Sequence, residues 1–187
     1  GSSFLAEIRP AAALFLQFGG LDFDNDPQAG DSLSAFVRWV QTVVDAYAGT
    51  VIQLTTGDKG SYLYAAFGAP NSDDEDAQRA VATALTLRNP PPELAMIGQI
   101  RIGISQGMMR AGPYGSESRL TYGVLGDATN LAARLCAEAA GAQILVDRKT
   151  MARVEDLVFA EPVGPLTLKG FSQPMPAFQV TGLKPPT

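Results

Sequence analysis

Between Leu33 and Tyr47 the apolar residues Leu33, Phe36, Val37, Val40, Val43, Val44 and Tyr47 fall at offsets 0, 3, 4, 7, 10, 11 and 14. That spacing dictates an amphipathic helix with one buried stripe, and a buried stripe needs a sheet or another helix to cover it. Just upstream, Ala11–Phe18 is a continuous apolar run closed by Gly19-Gly20, the pattern of a strand covered on both faces. The polar stretch Asp22–Asp31 between them is a loop, with Asp31 or Ser32 placed to cap the helix. Gly49 ends the helix, and Val51–Thr55 and Ser61–Phe67 read as two strands joined by the turn Thr56–Gly60. Ala77, Ala80, Val81, Ala84 and Leu85 mark a second helix, which the prolines of Asn89–Glu93 terminate.

Gln99–Ser105 reads as a strand, and Met108–Val124 as a long hairpin with its tip near Gly112–Ser118. The stretch Leu120–Gly141 then gives a strand, a Gly-Asp turn and a helix. A strand at Ala142–Asp147, a short helix at Arg148–Val154 and short strands within Leu166–Phe171 and Ala177–Gly182 complete the chain. The order β-α-β-β-α-β predicts an α+β fold, an α/β sandwich with a ferredoxin-like core and C-terminal additions. That fold alone fixes no function.

Composition narrows the possibilities by exclusion. The 187 residues suit one domain, and the Gly1-Ser2-Ser3 start reads as a cloning scar. Residues 1–10 are then a lead, 11–183 the domain, and 184–187 a linker stub, as in a piece cut from something larger. A net charge of -5 with scattered Lys and Arg leaves no footprint for nucleic acid. No apolar run is long enough to cross a bilayer, and a cytoplasmic setting suits the single Cys136. The absence of histidine removes His triads and His metal sites, so any chemistry rests on carboxylates, amides, Lys and Arg.

The helix after the Gly-Asp turn carries Asn130 and Arg134 one turn apart on one face, with Leu131 and Leu135 beside them. Two readings are open for the pair. Arg134 can bridge to Glu138 on a solvated face, or both side chains can wait for an anionic substrate. The block "YGVLGDATNLAARL", preceded by "RIGISQGMMRAG" and followed by "LTLKGFSQPMPAFQV", resembles the class III adenylyl/guanylyl cyclase catalytic domain from about Ala11 to Gly182. The resemblance implies head-to-tail pairing of two such domains with the active site across their interface. One partner holds two divalent metals on two Asp residues; the other supplies base-recognising residues and an Asn and an Arg. The last two correspond to Asn130 and Arg134.

At the metal positions this chain departs from the family. The first Asp is replaced by Gln17, and the second position, counted back from Phe67, is Ser61. A neutral amide is a poor substitute for a carboxylate on Mg²⁺. Asp58 could serve only with a three-residue shift in the strand; otherwise it is a turn residue. Asp22 and Asp24 lie past Gly20, in the wrong place for the first site. The base-recognition positions correspond to Gln53 and Gly123, which do not choose between adenine and guanine; Gln53 can equally be an ordinary polar strand residue. Met108, Met109 and Arg110 fall in the arm that the family uses at its dimer interface, where methionine suits an adaptable surface. A plain surface hairpin with its methionines packed inward is the other reading. Cys136 falls on the apolar side of its helix.

Missing metal ligands beside a retained Asn and Arg match the second half of a tandem cyclase, and the Asp58–Ser61 hairpin resembles the second domain of soluble-type adenylyl cyclases. The expectation is a half-site that completes the conversion of ATP or GTP to a cyclic nucleotide and pyrophosphate. Mg or Mn would come only through a metal-bearing partner cyclase domain, and the isolated domain would be inactive or nearly so. The alternatives are a degenerate domain that regulates by pairing or small-ligand binding, and a homodimeric cyclase that uses Asp58.

Overall fold

The computed structural model describes residues 7–57, 60–68, 75–113, 120–123 and 127–186. Strand β1 (Glu7–Phe18) leads to helix α1 (Ala29–Ala46), strands β2 (Thr50–Thr55) and β3 (Ser61–Phe67), and helix α2 (Asp76–Leu87). A 3₁₀ turn at Pro92–Ile97 precedes β4 (Arg101–Pro113) and β5 (Leu120–Gly123). Helix α3 (Asp127–Glu138), β6 (Ile144–Asp147), α4 (Arg148–Val154), β7 (Val158–Leu166) and β8 (Met175–Leu183) follow. The sheet runs β2-β3-β1-β4-β6-β8-β7, with β5 paired to β4. Its first four strands are antiparallel throughout and form the expected ferredoxin-like core. The additions extend it beyond β4, where β6 is parallel to β4.

Alternation along β1 shows why Ala11–Leu16 is apolar throughout. Ala12, Leu14, Leu16 and Phe18 pack with Phe36, Val40 and Val44 of α1 and Ala80 and Val81 of α2. Ala11 and Ala13 face the other way, with Tyr64, Ala66 and Ala132 of α3. Helices thus cover both faces, and no position from Ala11 to Leu16 is free to be polar. Helix α4 joins the α1/α2 side through Val154.

Several local expectations are corrected. Strand β1 begins at Glu7 rather than Ala11, because β4 is one 13-residue strand and not a strand followed by a separate hairpin arm. Gln106 and Gly107 look like a break, yet their backbone stays paired with Ala12 and Ala11. Helix α1 starts at Ala29 with Gln28 as cap and no side-chain capping bond, so Asp31 lies in its first turn instead of capping it. It ends at Ala46, and the left-handed turn falls on Ala48 (φ 58°), not Gly49. The first tail strand is Val158–Leu166; of Leu166–Phe171 only Leu166 belongs to it. Pro162 and Pro165 disguise this strand, and it tolerates them because β7 is the sheet edge and its register shifts between them.

Candidate active site

Helix α3 meets the sheet almost backbone to backbone. A Cβ on Gly103 of β4 would overlap backbone atoms of Ala132 and Cys136, so only glycine allows this seat. Ala132, Leu135 and Cys136 are fully buried against it. The Cys136 thiol donates to the Arg101 carbonyl oxygen at 3.4 Å, and burial pushes its pKa up to about 12. At the other end of the helix Thr129 Oγ1 lies 3.4 Å from the Tyr64 hydroxyl, and the Tyr64 ring stacks on Phe15 with centroids 4.8 Å apart. Burial raises the Tyr64 pKa, the Thr129 contact offsets part of that rise, and either hydroxyl can donate.

With the helix held at both ends, its outer side is defined. Asn130 and Arg134 are both exposed, while Leu131 and Leu135 turn inward. The alternative of a solvated ion pair is not what forms: among the described residues Arg134 has no bridge to Glu138. Among the described residues the pair is an unengaged guanidinium and amide at i, i+4, a donor set suited to phosphoryl or ribose oxygens.

Cross-strand pairing places the other candidates. Gln17 opposes Tyr62, and Phe15 opposes Tyr64, which in turn opposes Gln53. Directly opposed residues share a face, so Gln17 and Gln53 lie on the face that α3 covers. Gln17 is half-buried, and its amide nitrogen lies 3.1 Å from where a Cβ of Gly60 (φ 119°) would stand. Gln53 is exposed and donates to Thr55 Oγ1 at 3.3 Å. Ser61 opposes Phe18 and is 6% exposed, which puts it on the opposite face, toward α1 and α2.

Gln17 and Ser61 therefore do not fit a divalent ion: one offers a neutral amide, the other a hydroxyl across the sheet. No cluster of three His, Cys, Asp or Glu able to hold a metal occurs among the described residues. Asp22 accepts from the Asn25 side chain and from the backbone of Asn25 and Asp24, bonds that hold its carboxyl below the usual range within a local turn. Asp58 and the hairpin tip at 114–119 lie outside the described residues.

Gly123 pairs with Arg110 at the far end of β4, four strand spacings from Gln53. Met108 is 48% exposed, which favours a surface role over core packing, and Met109 and Arg110 continue the strand opposite Arg9 and Ile8. Tyr64, Thr129 and Gly103, which seat α3, were not singled out by the sequence. The alternation of β3 could have flagged Tyr64; nothing local marks Gly103.

A model of the adenylate and guanylate cyclase catalytic domain matches residues 31–182. The chain belongs to this family. It is 34% identical over 180 residues to an uncharacterized protein of Mycobacterium tuberculosis, covering 90% of this chain and 31% of that protein. The crystal structure of the adenylyl cyclase CyaB from P. aeruginosa superposes with a TM-score of 0.80 at 24% identity, covering 95% of this chain and 96% of that one. The guanylyl cyclase Cya2 does so at 0.79 and 27%, covering 97% and 96%. The chain spans no more than about a third of the length of the curated relatives it matches first. No helix among the described residues is long and apolar enough to cross a membrane.

Proposed function

We propose that this cyclase domain is the second half of a composite site, lending Asn130 and Arg134 to a head-to-tail partner domain that carries Mg or Mn on its own carboxylates. Together they convert ATP or GTP to the cyclic nucleotide and pyrophosphate. One observation carries the reading: Asn130 and Arg134 stand exposed one turn apart on a helix whose buried side is rigidly seated, and Arg134 has no ion-pair partner among the described residues. As the ribose 3′-oxygen bonds to the α-phosphorus and the bond to the β-phosphate oxygen breaks, negative charge spreads over the phosphoryl oxygens. The Arg134 fork meets that charge, and the Asn130 amide holds the ribose in line. The second reading, a regulatory domain that acts by pairing or ligand binding, draws on Gln17 and Ser61, which do not fit a metal.

The test is complementation. The domain is assayed with ATP and GTP in Mn²⁺, alone and mixed with a metal-bearing class III cyclase domain whose own helix Arg has been replaced by Ala. Activity is expected only in the mixture, and Arg134→Ala should reduce it about 100-fold. Mixture activity indifferent to Arg134→Ala would establish the regulatory reading. Robust activity from the domain alone would point to Asp58.

A further inference from the structure

Strand β4 runs on after β6 has stopped. Their pairing ends at Ile104 and Val146, while Asp147 already pairs with Ala177 of β8. Past that point a cavity of about 650 Å³ opens between β4 and the start of β8. Met108 of β4, Leu131 of α3, Phe171, and Met175 and Pro176 of β8 give it a broad apolar wall. Neither Asn130, Arg134, Gln17 nor Gln53 borders it.

Two further polar residues reach the interior, and neither offers a group to a ligand. The Gln106 amide is shielded at both its nitrogen and its oxygen. The Asp147 carboxylate accepts the Thr150 N–H at 3.0 Å and the Gln106 backbone N–H, and is taken up in capping α4. Arg148 and Lys149 differ. Both are exposed at the rim, and among the described residues neither makes an ion pair or a side-chain hydrogen bond. Arg148 also borders a second hollow of about 290 Å³, against Pro165 and Phe178, so its guanidinium has apolar surface on both sides. A charge beside such surface attracts a counter-ion more strongly than one in open water.

We propose that this cleft is a second small-molecule site, for an amphiphilic monocarboxylate with a flexible hydrocarbon tail: a medium-chain fatty acid. The tail fills the apolar cavity, whose volume falls within the range of sites that bind small molecules. Met108 and Met175 suit a tail of many conformers, because unbranched thioether side chains repack around what they enclose. The carboxylate stays at the rim, where Arg148 and Lys149 outnumber the one carboxylate below them and select an anion over a neutral or cationic head. The site is independent of the composite cyclase reading.

The test is titration of octanoate into the full chain labelled at its methionine methyl groups, followed by NMR and calorimetry. Saturable binding is expected, with the Met108 and Met175 methyl resonances shifting while those of Met96 and Met151, which do not line the cavity, stay in place. From hexanoate to octanoate to decanoate, each added methylene should tighten the Kd about fourfold. 1-Octanol should bind severalfold more weakly than octanoate, and octylammonium more weakly still. The double variant Arg148→Gln/Lys149→Gln changes only exposed side chains; it should bring octanoate down to the affinity of 1-octanol and leave 1-octanol unchanged. Absence of saturable octanoate binding, an affinity indifferent to tail length, shifts spread over all the methionine methyls, or octanoate binding unchanged in the double variant would overturn the proposal.

Discussion

Arg134 and Leu135 are sequence neighbours with opposite environments: one exposed, the other fully buried. A 100° step along the helix produces that division, and it places the charge where a partner can reach it. Asp147 shows the converse, a carboxylate taken inside. Burial holds its pKa above the ordinary 3.8, while hydrogen bonds from Thr150 and Gln106 pull it down. Ionisation therefore costs the folded state more than the unfolded chain. This contribution to stability is lost as pH rises from 3.8 through the raised folded value, and returns on acidification. Asp147→Asn keeps an acceptor for Thr150 but cannot ionise. The melting temperature of the variant minus that of the parent should climb with pH in melts from about pH 3.5 to about pH 7. A flat difference would show that Asp147 titrates alike in both states.

Among the elements, α3 depends on a single missing methyl group. Gly103→Ala would drive a Cβ into the Ala132 and Cys136 backbone, which cannot yield as a flexible side chain would. It should cost roughly 3 kcal/mol, or about 8 °C in a chain of this size, and shift Asn130 and Arg134 with the helix. Thermal melts together with the complementation assay check this: activity should fall more than the unfolded fraction explains. The elements easiest to find in the sequence were those with a strong period or a sharp boundary. The α1 stripe, the β2–β3 pair, α2 and α4 match their expected places to within a few residues. The tail strand β7 escaped because its prolines lie on an edge, and the unity of β4 because backbone pairing does not read side chains. At the site, Asn130 and Arg134 stood out through a spaced polar pair in an apolar helix. Gly103 did not, since a close backbone approach is a property of three-dimensional surroundings.

At the scale of the molecule, the described face carries an Asn–Arg donor pair and Gln17 at the first expected metal position, while Ser61, at the second, faces the other side of the sheet. On the proposed reading, such a domain lends its donor pair and takes its metal from a partner. Its cleft between β4 and β8 lies at the junction of the ferredoxin-like core and the C-terminal extension. The β4 wall of that cleft is the strand that also carries the β5 arm.

That strand acts as the chain's phase reference. Strand β4 is bound to β1 along nearly its whole length, to β6 at Ile102–Ile104 and to β5 at Arg110–Pro113. One added residue between Gln106 and Gly107 would exchange inside for outside in everything beyond it, while Ile102 and Ile104 kept their places in the core. Two added residues would restore the parity and merely lengthen the strand. The single insertion should leave a folded domain that no longer complements a partner, and the double insertion should regain part of that activity. The arm would then prove to be read by its alternation rather than by its reach.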